Sequence, residues 1–147
     1  MKKTITIQNH MIGTLIETLN AFKARNNITC TPIVTMAVIR NIKILQEEFK
    51  NIQECQEAIR DKYFTDETSH VEKDKNGNET RVLNKECEKE IVEQIVKDFN
   101  ELGNGMAEVQ IESIPQKDFN KLIEKNKYLD VMTPLEVSFL NLIAEEE

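Results

Sequence analysis

The stretch from Thr31 to Tyr63 constrains the fold more than any other part of the sequence, because it predicts one long helix. Thr31 can cap free backbone N–H groups, and Pro32 suits the first helical position, where its missing N–H costs nothing. A helix of this length is about 48 Å long. Its apolar residues recur in alternating steps of four and three, a heptad seam interrupted only by Gln56: Val38, Ile42, Leu45, Phe49, Ile52, Ile59 and Tyr63.

The two halves of this helix differ in character. Between Ile33 and Leu45 apolar side chains cover more than one face, so this half is expected to be packed from several sides. From Leu45 to Tyr63 the apolar stripe narrows to the seam, which needs a single partner. The first half is therefore predicted to lie in a core, and the second half to form an arm.

A second helix can complete that arm. Asn84 can cap a helix over residues 85–102, and Gly103-Asn104-Gly105 is typical of a left-handed helix end. This helix is about as long as the stretch from Leu45 to Phe64, so the two are expected to form an antiparallel helical hairpin. The hairpin would bury the apolar residues of the second helix, which are Cys87, Ile91, Val92, Ile95, Val96, Phe99 and Leu102.

The segment between these helices is polar. Residues 74–78 contain Asn76-Gly77, a strong signal for a tight turn between two strands. A polar β-hairpin or loop is therefore predicted at the tip of the arm.

The remaining elements surround the first half of the long helix. Thr4–Ile7 and Glu108–Ile111 alternate polar and apolar residues, which predicts a small two-stranded sheet at the base of the arm. Asn9 can cap a first helix, and Pro115 can open a short one. Thr133-Pro134-Leu135-Glu136 predicts a capping box at the start of the last helix, with Leu135 on its buried side.

These elements predict a mostly α (α+β) fold in a single domain over residues 1–147. Its core would comprise residues 1–45 and 103–147, and its helical arm residues 45–102. The composition agrees, because 31% charged residues, 5% aromatic residues and four glycines suit a helical protein better than a sandwich or barrel.

The charge and the cysteines favour a cytoplasmic protein. A net charge of −7 disfavours binding to nucleic acid or to an anionic membrane surface. The sequence has neither the long apolar run of a signal peptide nor the roughly 18 apolar residues that span a bilayer. Cys30, Cys55 and Cys87 form no CxxC pair and are expected to be reduced thiols.

The sequence predicts neither an enzyme nor a metal or cofactor site. His10 and His70 lie in different elements, and the glycines fit no phosphate-binding loop. Cys30 with His10 is an alternative as a nucleophile pair, but an ordinary thiol at a helix start is the favoured interpretation.

Two groups of residues are candidates for binding. Arg40 and Lys43 interrupt the apolar half of the long helix, where they either reach the surface or, with Tyr63, line a pocket for an anionic group. Gln56, the polar step of the seam, and the basic residues near the tip are the candidate interaction surface. Those basic residues are Lys73, Lys75 and Arg81.

Several motifs follow one another in the sequence: the Thr31-Pro32 helix, Arg60-Asp61-Lys62-Tyr63, Asp74-Lys75-Asn76-Gly77-Asn78, the acidic helix that follows, Glu108-Val109-Gln110-Ile111 with Ile114-Pro115, and Thr133-Pro134-Leu135-Glu136. In the order of these motifs the chain resembles a family of small phage and prophage proteins of low-GC bacteria with no assigned activity. The resemblance implies a phage context without catalytic residues.

Three functions are compatible with these features. The favoured hypothesis is a non-enzymatic phage accessory protein that binds a bacterial host or defence protein and forms a homo-oligomer. The alternatives are a protein that sequesters a nucleotide immune signal and a structural or assembly factor of the virion.

Overall fold

A computed structural model describes residues 1–126 and 132–146 of the chain. The fold is mostly α (α+β), as predicted. Each of its two sheets has two strands, β1 with β4 and β2 with β3. In chain order the elements are β1 (Lys2–Gln8), α1 (Asn9–Ala24), α2 (Pro32–Tyr63), β2 (Ser69–Lys73), β3 (Glu79–Leu83), α3 (Glu88–Asn104), β4 (Met106–Glu112), α4 (Gln116–Asn126) and α5 (Pro134–Ile143).

The chain divides into two compact units. The first comprises Met1–Lys50 and Met106–Glu147, and the second comprises Asn51–Gly105. Helix α2 contributes residues to both units. The expectation of a single domain with a helical arm stays a prediction.

The sheet of the first unit confirms both predicted strands and extends them. β1 and β4 pair antiparallel from Lys2 opposite Glu112 to Gln8 opposite Met106. Their apolar residues alternate onto one face, which is buried and packs with α1 and α5. Buried apolar residues of this unit include Ile5, Ile7, Ile12, Leu15, Leu19, Val34, Val38, Ile42, Leu45, Val109, Ile111, Ile114, Leu122, Leu140 and Ile143.

Asn41 joins α2 to this sheet. Its side chain is fully buried, and its amide nitrogen donates to the backbone carbonyl of Glu112 at 2.8 Å. Its amide oxygen accepts from the backbone N–H of the same residue at 2.7 Å. One side chain therefore satisfies both backbone groups of the last β4 residue, as a neighbouring strand would.

Both ends of α5 are capped by side chains. At its start, Thr133 accepts from the backbone N–H of Glu136, whose carboxylate accepts from the backbone N–H of Thr133, so the predicted capping box is confirmed. At its end, the Lys3 ammonium donates to the backbone carbonyls of Leu142 and Ala144 at 2.9 and 2.8 Å. Lys3 thereby satisfies carbonyls that the helix itself leaves unpaired.

The second unit contains the polar hairpin between α2 and α3. β2 and β3 pair antiparallel from Ser69 opposite Leu83 to Lys73 opposite Glu79. The Asp74 carboxylate accepts from the backbone N–H groups of Asn76 and Asn78 and so closes the loop. Gly77 has a φ of +80°, a conformation that residues with a Cβ rarely adopt. A polar β-hairpin is thus formed, as the Asn-Gly pair predicts.

The predicted N-terminal caps of α1 and α3 are wrong. Gln8 occupies the cap position of α1, without a side-chain cap bond, and Asn9 is already helical. α3 begins at Glu88 rather than after Asn84, because the Asn84 side chain bonds to His70 and to the backbone carbonyl of Glu67. Asn84 thus ties down the hairpin and is not available as a cap.

Two further expectations at helix ends fail. Gly105 follows α3 in an extended conformation, with φ −64° and ψ 154°, because the chain passes directly into β4. The predicted left-handed end is therefore absent. In the first turn of α5 the buried residue is Glu136, whose carboxylate pairs with Arg25, and Leu135 is exposed.

Candidate binding surfaces

The first half of α2 is packed on one side and uncovered on the other. Val34, Ala37 and Val38 are buried, whereas Ile33 and Met36 are 51% and 48% exposed. The expectation that this half is covered from several sides is therefore wrong. Val34 and Val38 lie on the buried flank, and the apolar residues of this half extend beyond it.

A groove of about 340 Å³ lies over the uncovered flank, here called the α2 groove. It is mostly apolar, and one of its walls is fixed by Ser113, whose hydroxyl and backbone N–H both donate to the carbonyl of Met1 at 2.7 and 2.8 Å. The groove is lined by Met1, Pro32, Ile33, Met36, Ala37, Arg40, Glu112, Ser113 and Pro115.

Arg40 provides a cation at this groove. Its side chain is exposed and lines the groove, and it forms no hydrogen bond or ion pair with any residue in the described ranges. Lys43 is also exposed, one turn further along α2, but it is not among the residues that line the groove. Of the two predicted basic residues, Arg40 alone lines this groove.

Tyr63 and Gln56 belong to the second unit. The Tyr63 hydroxyl donates to the Asp98 carboxylate of α3 at 2.6 Å. This hydrogen bond is the main reason that the pKa of Tyr63 is raised, with burial and the charges of Asp98 and Glu101 contributing less. Tyr63 is therefore committed to a contact within its own unit. Gln56 is half-buried in the seam of α2.

The basic residues of the hairpin lie in different surroundings and do not form one binding surface. The Arg81 guanidinium pairs with the Asp66 carboxylate at 3.2 Å and donates to the Ser69 hydroxyl at 3.0 Å. Lys73 lies opposite Glu79 in the strand register, and Lys75 is exposed in the loop. Arg81 thus stabilises the base of the hairpin, which leaves the two lysines as exposed surface charges.

α3 carries two adjacent seams, each with steps of four, three and four residues. The inner seam comprises Ile91, Ile95, Asp98 and Leu102, which are all half-buried, and Asp98 on this seam contacts Tyr63 of α2. The outer seam is shifted by one residue and comprises Val92, Val96, Phe99 and Gly103.

The outer seam has no cover at its centre. Val92 and Val96 are 44% and 51% exposed, and α3 has no buried residue at all. The expectation that a helical hairpin buries the whole apolar side of this helix is therefore wrong. The physical reason is that a single neighbouring helix covers only about one apolar seam, whereas α3 carries two seams side by side.

A smaller cavity, of about 140 Å³, lies beside Cys30. The Cys30 thiol donates to the backbone carbonyl of Thr31 and lies 3.1 Å from the Thr35 hydroxyl. His10 has a different partner, the side-chain carbonyl of Gln8. The structure therefore does not bring Cys30 and His10 together as a nucleophile pair.

Two buried carboxylates outside these surfaces have structural roles. The Asp118 carboxylate accepts from the Thr31 hydroxyl at the start of α2, and the Glu136 carboxylate accepts from Arg25. Among residues 1–126 and 132–146, no three His, Cys, Asp or Glu side chains converge on a point where a metal ion could bind. None of the helices in these ranges has the length and apolar character needed to cross a membrane.

Sequence reasoning missed the α2 groove. It is assembled from the N-terminal segment, α2 and the residues after β4, and such long-range neighbours leave no local pattern. One feature of the sequence did indicate such a surface. Apolar residues lie on more than one face of Ile33–Leu45, so this stretch either packs against several neighbouring elements or leaves an apolar patch exposed.

Comparisons with protein-family models, with curated proteins and with solved structures give no match to this chain.

Proposed function

We propose that the protein is a non-enzymatic, phage-encoded accessory protein that acts in the bacterial cytoplasm by binding a host or defence protein through the α2 groove. One observation carries the proposal, namely that Ile33 and Met36 are about half exposed beside Arg40, which has no partner among the described residues. Exposed apolar patches rimmed by polar residues are typical of protein interaction sites. Methionine suits such a surface because its flexible thioether adapts to the shape of a partner.

The groove indicates the chemistry of the partner. Its apolar floor fits apolar side chains, and Arg40 can form a charge-assisted, two-pronged hydrogen bond with a carboxylate. A partner segment that carries apolar residues next to an aspartate or glutamate satisfies both features. Arginine is also among the residues that most often dominate binding energy at interfaces.

The phage context of this proposal comes from the sequence resemblance. The motifs that carry it include Thr31-Pro32, which begins α2 at the edge of the groove, and Ile114-Pro115, whose proline lines the groove. The non-enzymatic mode of action likewise comes from the sequence, which contains no recognised catalytic motif.

The test is capture of a partner from a low-GC bacterial lysate, followed by affinity measurement with the purified partner. The variant I33S/M36S removes the apolar anchors, and R40E reverses the charge. Each is expected to weaken binding by at least about tenfold, the scale of an interface hot spot. L135S is the matched control, because Leu135 is an exposed apolar residue of the same unit outside the groove.

The control variant should bind like the wild type, and circular dichroism should show that all three variants are folded. Binding that is equally strong in I33S/M36S and R40E, or a lysate that yields no partner, would contradict the proposal.

A nucleotide-binding protein is the second candidate function. It is favoured by the Arg40 guanidinium, which is unpaired within residues 1–126 and 132–146 and lies on a groove whose volume is at the lower end of the range for small-molecule sites. Calorimetry against cyclic and linear nucleotides tests it, with binding expected to be lost in R40A. A flat response across the panel would eliminate it.

Detection of the chain in purified virions by mass spectrometry would instead favour the virion factor.

A further inference from the structure

Hydrogen bonding around the α2 groove indicates what kind of backbone can occupy it. An extended peptide docks by strand addition, which needs a sheet edge with free N–H and C=O groups. The strand that borders the groove is β4, and its outer edge is occupied there. At Glu112 both backbone groups bond to the side chain of Asn41. At Ile114 the N–H donates to the carbonyl of Ile143, and the carbonyl accepts from the N–H of Glu145. This edge is therefore closed to a further strand.

The other walls of the groove also offer few free backbone groups in the described part of the chain. Pro32 and Pro115 have no N–H, and the Pro115 carbonyl accepts from two N–H groups of α4. The Met1 carbonyl accepts from both the N–H and the hydroxyl of Ser113. Within α2 the backbone is bonded in the helix, apart from the first N–H groups, which point along its axis. An extended peptide would thus place its own polar backbone unpaired against an apolar floor, which is unfavourable.

The exposed side of α2 has the spacing on which a second helix packs. Ile33, Met36 and Arg40 follow one another in steps of three and four residues, with Ala37 beside them. The stretch from Ile33 to Arg40 is about 10 Å long, which corresponds to two turns of a helix. Because a helix satisfies its backbone hydrogen bonds internally, it can lie on the apolar floor without leaving those groups unpaired.

We propose that the occupant of the α2 groove is an amphipathic helix of the partner protein, an inference that rests on the proposed function and adds the conformation of the partner. Its apolar residues recur at i, i+3 or i+4, and i+7, and they contact Ile33 and Met36. One acidic residue beside them binds the Arg40 guanidinium. The helix carries one such residue rather than an acidic run, because the Glu112 carboxylate also lines the groove and repels further negative charge.

α2 of a second copy does not meet these requirements. It presents the same apolar stripe, but no aspartate or glutamate occurs between Pro32 and Gln46. In a pair of facing α2 helices, Arg40 of each copy would receive no carboxylate from the opposite helix, and two guanidinium groups would enter one interface. A helix of another protein that supplies the carboxylate is therefore the favoured occupant.

Selection of peptides on the purified chain tests the conformation of the occupant. One displayed library contains random peptides of about 16 residues, and a second randomises the surface of a stable helix of about four turns. Binders are expected mainly from the helical library, with apolar residues at i, i+3 or i+4, and i+7 and one aspartate or glutamate. Binding is expected to weaken by at least about tenfold in I33S/M36S and to be unchanged in L135S.

The outcomes of the selection distinguish a wrong conformation from a wrong function. Binders that need Ile33 and Met36 but alternate apolar and polar residues, or that tolerate a central proline, show an extended occupant and overturn the helix alone. No binder from either library, or equal binding to I33S/M36S, overturns the proposed function as well. Self-association of the wild type in sedimentation, lost in I33S/M36S, shows that a second copy covers the groove and overturns the partner helix.

The conformation of a selected peptide can also be measured directly. In the complex, the Cα chemical shifts of an isotope-labelled peptide are expected to be helical over at least about two turns. Shifts typical of an extended chain would overturn the proposal.

A charge exchange tests the contact with Arg40. R40E is expected to weaken binding of the selected peptide by at least about tenfold. A peptide whose acidic residue is replaced by lysine is expected to bind R40E more tightly than it binds the wild type, because the exchange restores opposite charges. Equal binding of the exchanged peptide to R40E and to the wild type overturns the assigned contact.

Discussion

His70 shows how a single side chain couples the hairpin to pH. One ring nitrogen lies 2.8 Å from the Glu72 carboxylate and the other 2.6 Å from the side-chain oxygen of Asn84. Only the protonated ring can donate to both oxygens at once. The pKa of His70 is therefore raised above 6.5, chiefly by the hydrogen bond to Glu72 and then by that to Asn84, while burial opposes the shift.

We expect the hairpin to be more stable in mildly acidic than in mildly alkaline solution. A raised pKa in the folded state stabilises the fold fully below the unfolded value of 6.5, and this stabilisation is lost as the pH rises through the folded value. NMR titration of the His70 ring should give a pKa above 6.5, and H70Q should abolish this contribution. H10Q is the matched control, and a His70 pKa at or below 6.5 would contradict the expectation.

For single residues, the sequence predicts a side-chain contact only when the two partners lie close together along the chain. The capping box joins Thr133 to Glu136, three residues apart, and its pattern is legible in the sequence. The partner of Asn84 is His70, fourteen residues earlier, on a strand whose register the sequence does not specify. Asn84 therefore matches a cap by residue type, although tertiary structure gives it another role.

Among the elements, α2 is joined to the sheet by the side chain of Asn41. Asn41 is fully buried among apolar neighbours, and its side chain bonds twice to the backbone of Glu112. A buried asparagine in an apolar stretch is usually unfavourable unless its hydrogen bonds are satisfied. Here the two bonds fix the position of the helix along the strand, which apolar contacts alone do not specify.

N41A is expected to lower the free energy of unfolding by about 2–4 kcal/mol, because it leaves the N–H and carbonyl of Glu112 without these partners. Urea unfolding monitored by circular dichroism measures the loss. N51A on the same helix is the matched control, since the Asn51 side chain is exposed and makes no hydrogen bond in the described ranges. A loss no larger than that of N51A would show that water replaces the asparagine without cost.

The sequence pattern predicts that these elements exist, but it does not predict how much of the surface of each helix is buried. Alternation over a few residues identifies β1 and β4, and heptad spacing identifies α2. Exposure of Ile33, Met36 and Val96 depends instead on how many neighbours each helix acquires. That number follows from contacts between distant segments, which the sequence pattern does not contain.

For the molecule as a whole, the two units differ in how much apolar core they contain. In the second unit the buried apolar residues are Ile52 and Leu83, whereas the first unit buries apolar residues from its sheet and from four helices. Burial of apolar surface is the main favourable term in folding. The second unit is therefore expected to open more readily than the first, unless α3 is covered.

Hydrogen exchange should show this difference. At low micromolar concentration, the amides of α3 are expected to exchange faster than those of α1, β1 and β4. Equal protection of α3 and α1 in dilute solution would contradict the expectation that the second unit opens more readily than the first.

The pairing of β1 with β4 also determines when the first unit can fold during synthesis. The paired residues are separated by 98 positions at Gln8–Met106 and by 110 at Lys2–Glu112. A ribosome therefore releases β1 long before its partner strand exists, and the intervening loop has to close before the sheet can form. Until then β1 exposes an unpaired edge to other nascent chains. Translation arrested before residue 106 would leave this edge permanently open.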